Sequence, residues 1–112
     1  MSANAPFSQN EENEGRAATT TPLNRRKEWE ALLEHRSLLD TTHVRTLFAE
    51  DPERAGKYVL EVGDLHVDYS KNLVTDRTLE LLADLARATR VTELRDAMLR
   101  GDHINLTEDR AV

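Results

Sequence analysis

The chain has 112 residues, 32% of them charged, and a formal net charge of −6, so we expect one ordinary acidic domain. This charge argues against a nucleic-acid-binding role. Because the sequence contains no cysteine, it carries neither a disulfide framework nor a thiolate metal site. No apolar run approaches the roughly 18 residues that span a membrane, so no membrane segment is expected.

Residues 1–21 are rich in Ser, Asn, Thr, Ala and Glu and poor in large apolar side chains. Such a composition cannot bury enough apolar surface to offset the entropy of ordering, so we predict a disordered N-terminal tail. The segment lacks the basic and apolar regions of a secretory signal, and its acidic residues argue against an organellar transit peptide. A cytoplasmic location fits both observations.

Two helices are predicted after the tail. Thr21 followed by Pro22 resembles a helix start, with a hydroxyl N-cap and a proline at the first helical position. A helix ending near Asp40 is predicted by apolar residues at helical spacing: Trp29, Leu32, Leu33 and Leu39. A shorter helix, interrupted at Asp51-Pro52, is predicted by the next such set: Val44, Leu47 and Phe48.

Residues 58–62 and 65–69 carry a large apolar side chain at every second position, which predicts two β-strands. Gly63-Asp64 lies between them and favours a two-residue type II′ turn. This turn pairs Val62 with Leu65, Leu60 with Val67 and Tyr58 with Tyr69. These side chains then share one face of a hairpin, and such a hairpin needs something packed against it.

Two further helices are predicted after the hairpin, each with a threonine as its N-cap. Thr75 precedes the first, whose buried stripe we expect to contain Leu79, Leu82, Leu85 and Ala86. Thr92 precedes the second, which should end at Gly101 in a left-handed conformation. Its inward side chains should be Leu94, Met98 and Leu99.

The last residues contain a helix start without a helix. Asn105 and Glu108 have the spacing of a capping box, and Thr107 is a rival cap. Only four residues follow Glu108, which suggests that the sequence is interrupted there.

No pattern in the sequence predicts a catalytic or metal site. The histidines lack a zinc-binding spacing, and we expect each to be solvated or locally hydrogen-bonded: His35, His43, His66 and His103. Ser70 and Lys71 are adjacent, unlike the Ser-x-x-Lys spacing that brings both groups together across a helical turn. We therefore interpret residues 68–72 as a strand-exit turn with a solvated lysine. Glu108 and Asp109 are also adjacent, and cap and dipole roles account for them.

Two segments carry a family resemblance: DYSKNLVT at residues 68–75 and GDHINLTEDRAV at residues 101–112. In order and spacing they resemble the N-terminal region of the phosphoglucose isomerase family. That family reads D-Y-S-K-N and, further along, G-[ED]-x-I-N-x-T-E-x-R-A-V. The segments His43–Phe48 and Asp51–Arg54 also fit, and the resemblance extends from Trp29 to Val112.

The resemblance implies the N-terminal part of an enzyme that interconverts glucose 6-phosphate and fructose 6-phosphate in glycolysis and gluconeogenesis. It implies an intramolecular aldose–ketose isomerase, without metal or cofactor, that moves a proton between two sugar carbons through an enediol. It also implies a cytoplasmic homodimer whose sugar-isomerase (SIS) domains form an α/β/α sandwich. The family's catalytic and substrate-binding groups lie in segments absent from this sequence, so none is assigned to Ser70, Lys71, His103 or Glu108.

We therefore expect an α+β chain, mainly helical with one β-hairpin. It should consist of the tail at residues 1–21 and a helical segment at residues 22–112 that precedes the catalytic domains. On its own this chain should have no isomerase activity. The alternative interpretation is an independent acidic helical module that binds a protein partner through its leucine-rich faces.

Overall fold

The computed structural model describes residues 21–112, so the predicted disorder of the tail falls, apart from Thr21, outside the described residues. The described part is mainly helical with one antiparallel hairpin, which confirms the predicted class. Its elements are α1 (Lys27–Leu39), α2 (Val44–Glu50), α3 (Arg54–Lys57), β1 (Val59–Val62), β2 (Leu65–Asp68), α4 (Asp76–Ala88) and α5 (Val91–Arg100). The division into a tail and a segment at 22–112 stays a prediction.

The described residues form two compact units whose boundaries fall within α1 and α4. One unit comprises residues 31–82 and includes the hairpin, and the other contains residues 21–30 and 83–112. Within residues 21–112, no helix is both long enough and apolar enough to cross a membrane.

The predicted start of the first helix is wrong. Leu23–Arg25 form a 3-10 turn, and Pro22 rather than Thr21 occupies its N-cap position. Arg26 then takes an extended conformation, with φ −85° and ψ 140°, so α1 begins only at Lys27. Proline at the start favours a helical turn, but the extended residue after that turn separates it from α1.

The ends of the first two helices are confirmed. α1 ends at Leu39, and α2 ends at Glu50 because the next residue, Asp51, precedes a proline and is extended. The short helix α3 was not predicted. Its four residues give too little periodicity to distinguish a helical turn from a loop.

The predicted hairpin register is confirmed. Val62 pairs with Leu65 and Leu60 with Val67. The N–H of Tyr69 donates to the carbonyl of Tyr58 at 3.0 Å, which continues the pairing beyond the two strands. Gly63 has φ +57° and Asp64 does not have a positive φ. A type II′ turn requires this combination, with a positive φ at its first central residue only.

Thr75 caps α4 as predicted, and Thr78 completes the cap. The N–H of Thr78 donates to the Thr75 hydroxyl at 3.4 Å, and the N–H of Thr75 donates to the Thr78 hydroxyl at 2.9 Å. Two N–H groups at the start of the helix therefore gain partners from one pair of side chains.

The predicted cap of α5 is wrong, because α5 begins at Val91 and Thr92 already lies inside it. Arg90 is at the N-cap position with a left-handed φ of +56°, and it is one of the only two residues that separate α4 from α5. Gly101 ends α5 as predicted, with φ +78°. Its N–H donates to Met98 and that of Asp102 to Ala97, which together form a Schellman motif.

The buried core is smaller than predicted, and its apolar members are Leu47, Tyr58 and Leu81. The predicted inward positions of α4 and α5 are partly wrong, because Leu79, Leu82, Leu94, Met98 and Leu99 are exposed. Helical periodicity identifies an apolar face but does not say whether another element covers it.

The final capping box forms its contact but starts no helix. The N–H of Glu108 donates to Asn105 Oδ1 at 3.3 Å, and the Thr107 hydroxyl donates to the same oxygen. Asp109 has φ +49°, and a bridge between Asn105 and Arg110 closes the segment as a turn.

Candidate functional site

The five residues DYSKN at 68–72 leave β2 in a compact turn. Asp68 Oδ1 accepts the N–H of Ser70 at 2.9 Å, and the carbonyl of Tyr69 accepts the N–H of Asn72 at 3.1 Å. Ser70 is only 2% exposed, whereas Lys71 is exposed. The strand-exit turn with a solvated lysine is therefore confirmed.

The carboxylate of Asp68 is stabilised by this turn. Hydrogen bonds from the side chain and then the backbone of Ser70 hold the pKa of Asp68 below its ordinary value. Asp68 thus acts as an acceptor that fixes the turn. Its preference for the charged form makes it a poor source of protons near neutral pH.

Arg54, in α3, joins this turn to the preceding helical segment. Its Nε donates to the carbonyl of Ser70 and its Nη2 donates to the carbonyl of Asn72, each at 2.8 Å. Arg54 is 2% exposed, so these bonds satisfy a buried cation with backbone carbonyls. We call this arrangement of Arg54, Ser70 and Asn72 the arginine clamp.

Aromatic rings surround the guanidinium of the clamp. Its carbon lies 4.6 Å from the centroid of Tyr58 and 5.6 Å from that of Phe48. The rings of Tyr58 and Tyr69 are 5.6 Å apart in an edge-to-face arrangement. The faces of the rings favour the cation electrostatically, and this partly compensates for its removal from water.

Asp76, the first residue of α4, connects the same tyrosine to a lysine. Tyr58 donates its hydroxyl to Asp76 Oδ1 at 2.9 Å, and Lys57 Nζ lies 2.7 Å from Oδ2. The bonds from Lys57 and Tyr58 lower the pKa of Asp76, and the bond to Asp76 raises the pKa of Lys57. Burial, followed by the bond to Asp76, raises the pKa of Tyr58. This network attaches the start of α4 to α3.

The turn lacks the geometry of a nucleophile and its base. Ser70 is buried, its N–H is bound to Asp68, and its carbonyl is bound to Arg54. Lys71 is on the surface beside it. Nucleophilic catalysis needs an accessible nucleophile within hydrogen-bond reach of a base, so the geometry indicates a structural role for these residues.

The prediction that each histidine is solvated or locally hydrogen-bonded is wrong for His35. This half-buried side chain bonds to the Thr78 hydroxyl at 2.7 Å, 43 residues further along the chain in α4. His66 makes a local contact, a pair with Glu61 at 3.1 Å on the polar face of the hairpin. His103 lies 3.4 Å from Asp109, and His43 is exposed. Among residues 21–112, no three His, Cys, Asp or Glu side chains are grouped as a metal site requires.

Each unit contains an open cavity that sequence reasoning did not predict. The cavity in residues 31–82 has a volume of about 220 Å³ and is lined in part by Leu32, His35 and Leu39. The cavity in the other unit, of about 590 Å³, is lined mainly by apolar side chains, among them Leu23, Leu94 and Leu106. Both linings also include arginine, histidine and threonine side chains.

Arg54 is the residue of the candidate site whose role sequence reasoning missed. It was noted only within the Asp51–Arg54 segment of the family resemblance. Arg54 and Tyr58 are four residues apart at the end of a helical turn, a spacing that brings side chains together. An arginine four residues before a tyrosine was therefore a usable signal, but the partner carbonyls 16 and 18 residues later were not predictable.

Comparison with known proteins identifies what this chain is similar to. The family model described as "Phosphoglucose isomerase" matches residues 68–112, beginning at the first residue of the DYSKN turn. Glucose-6-phosphate isomerase 2 of Streptomyces avermitilis is 65% identical over 96 residues, which cover 86% of this chain and 18% of the relative.

Two other relatives agree. Glucose-6-phosphate isomerase of Streptomyces griseus is 59% identical over 96 residues, 86% of this chain and 17% of the relative. Glucose-6-phosphate isomerase 3 of Rhodococcus jostii is 52% identical over 96 residues, 86% of this chain and 18% of the relative. The resemblance to the phosphoglucose isomerase family is confirmed, and the chain spans less than a fifth of the length of these curated relatives.

Proposed function

We propose that this chain, being similar to the phosphoglucose isomerase family, is the N-terminal part of a glucose-6-phosphate isomerase. The observation that carries the proposal is 65% identity over 96 residues to a relative of that name. Identity at this level extends well beyond the two motifs, because it covers 86% of the chain.

The proposed reaction is the reversible conversion of glucose 6-phosphate to fructose 6-phosphate. After ring opening, a base removes the proton from the second carbon, and the enediol is reprotonated at the first carbon. Such chemistry needs a base matched to the working pH and donors directed at the developing oxyanion. We assign these groups and the phosphate site to parts of the enzyme outside this chain.

The contribution of this chain to the enzyme is structural in this proposal. The arginine clamp fixes the turn after β2, and the Asp76 network fixes the start of α4. We further propose that the enzyme is a cytoplasmic homodimer, as the family resemblance implies.

A chimeric enzyme tests the proposed function. The matched 96 residues of the Streptomyces avermitilis relative are replaced by the corresponding residues of this chain. Conversion of fructose 6-phosphate is then followed with a coupled glucose-6-phosphate dehydrogenase assay. We expect turnover close to that of the unaltered relative and none from the 112-residue chain alone.

An inactive chimera that folds and assembles like the unaltered relative would refute the proposal. Turnover by the isolated chain, purified free of host isomerase, would refute the assignment of the catalytic groups to other segments.

A further inference from the structure

The apolar face of the hairpin is exposed at the end nearest its turn. Its residues there are consecutive cross-strand pairs, with exposures of 55% for Leu60, 69% for Val62, 62% for Leu65 and 41% for Val67. We call these residues the hairpin face. The adjoining Tyr58 is buried, so the same apolar stripe is covered at one end and uncovered at the other.

The opposite face of the hairpin is polar and exposed to solvent. Glu61 and His66 are paired across the strands at 3.1 Å, and their side chains are 76% and 61% exposed. If water covered both faces of the hairpin, its apolar side chains would gain nothing by lying on the same face. The contrast between the two faces therefore indicates that the hairpin face is covered in the complete protein.

We propose that the hairpin face docks onto the remainder of the isomerase polypeptide, C-terminal to the residues of this chain. This inference rests on the proposed function. Curated relatives are more than five times as long as the stretch they share with this chain, so most of such an enzyme lies beyond it. A two-stranded hairpin is marginally stable alone and gains stability when its apolar face is packed.

A second copy of the chain is a poorer occupant. The hairpin face consists of only four side chains, which are 41–69% exposed, so the apolar area it offers in each copy is small. A stable interface buries about 800 Å² per partner, so this face alone falls short of a dimer. A large covalently connected partner avoids that requirement, because intramolecular docking loses no translational freedom.

Substitutions in the chimeric enzyme test the inference. Leu60→Lys with Val67→Lys places two charges on the hairpin face, and Glu61→Lys with His66→Lys places two on the opposite face as a matched control. We expect the first pair to reduce soluble yield several-fold and to lower the unfolding temperature of the chimera. The control pair should change both much less, because its side chains stay in water and the variant disturbs only the exposed Glu61–His66 pair.

A milder pair separates loss of docking from loss of the hairpin. Leu60→Thr with Val67→Thr places β-branched residues of high strand propensity at both positions but removes apolar area. We expect a smaller fall in unfolding temperature in the chimera and an unchanged far-UV circular dichroism spectrum in the isolated chain. Equal unfolding temperatures for the hairpin-face and control variants would overturn the inference.

Sedimentation of the isolated chain tests the competing occupant. A dimer that Leu60→Lys with Val67→Lys converts to a monomer would overturn the inference in favour of a second copy. An inactive unsubstituted chimera bears on the proposed function alone, since the unfolding temperature does not depend on turnover.

Discussion

The guanidinium carbon of Arg54 lies 4.6 Å from the centroid of the Tyr58 ring, while two of its nitrogens donate to carbonyls of the DYSKN turn. The planar fork of an arginine can stack on a ring and donate along its edge at the same time. Tyr58 in turn donates its hydroxyl to Asp76. One buried side chain thus connects α3, the turn after β2 and, through Tyr58, the start of α4.

Replacing Arg54 should be strongly destabilising. In Arg54→Met the carbonyls of Ser70 and Asn72 lose their donors, and we expect a loss of about 2–4 kcal/mol in the free energy of unfolding. Arg54→Lys should recover only part of it, because an ammonium cannot reproduce the two parallel bonds. Urea unfolding followed by circular dichroism measures both variants. Arg77→Ala, which removes an exposed pair with Glu80, is the control and should cost less than about 0.5 kcal/mol.

The stability of the chain should depend on pH through Asp76 and Lys57. The folded pKa of Asp76 is lowered, so its stabilisation is present above the ordinary carboxyl pKa and is lost as pH falls through the folded value. The folded pKa of Lys57 is raised, so its stabilisation is present below the ordinary lysine pKa and is lost as pH rises through the folded value. Unfolding temperature should therefore be level around neutral pH and fall at both extremes.

The variant Asp76→Asn tests whether this pH dependence of the unfolding temperature arises from Asp76. It removes the carboxylate whose own pKa is lowered in the folded state and which raises the pKa of Lys57, so the decline at both ends should become shallower. Some decline in acid should persist, because the pKa of Asp68 is also lowered in the folded state. An unchanged profile in Asp76→Asn would show that the pairing with Lys57 does not influence stability.

Two glycines should respond to alanine in opposite directions. Gly101 has φ +78°, a conformation that disfavours a side chain, so Gly101→Ala should lower the free energy of unfolding by about 1 kcal/mol. Gly56 lies within α3 with open space around an added methyl, so Gly56→Ala should raise it by roughly 0.4–1 kcal/mol. Thermal melts of the two variants measure whether each substitution raises or lowers the stability of the folded chain. Destabilisation by both would mean that Gly56 makes a contact absent from this structure.

Lys71 should be dispensable for turnover. Its side chain is exposed beside the buried Ser70, so Lys71→Ala in the chimeric enzyme should keep turnover within about twofold. Tyr69→Ala should instead lower the free energy of unfolding by about 2 kcal/mol, because the half-buried ring packs against Tyr58. A thousandfold loss of turnover in a normally folded Lys71→Ala chimera would contradict the structural role of the turn.

Local chemistry made the hairpin and several helix ends predictable. Gly63 fixes the turn, and the turn fixes which residues pair, so the register followed from a few positions. Gly101 ends α5 and Thr75 caps α4, and both effects involve only residues within one helical turn. Arg90 escaped prediction because its left-handed conformation is unusual for a residue other than glycine, and it is imposed by the close succession of two helices.

The candidate site was predictable only in part. The spacing of Tyr58 and Tyr69 across the strands predicted their contact, because opposite positions of a hairpin are neighbours. The arginine clamp depends on backbone carbonyls, and every residue has one, so sequence offers no indication of which carbonyls Arg54 will reach. The exposure of Leu94 and Leu99 was missed because coverage depends on partners that periodicity does not describe.

The arginine clamp also has a consequence for the order in which the chain can fold during synthesis. Its hydrogen bonds join residues only 16 and 18 positions apart, and the strand pairing lies between them. Contacts this close in sequence need little loop closure and form quickly. The hairpin and its clamp can therefore assemble as soon as Asn72 has left the ribosome, and Asp76 follows four residues later to secure Tyr58. A ribosome stalled shortly after residue 76 emerges should already protect the Tyr69 amide from hydrogen exchange.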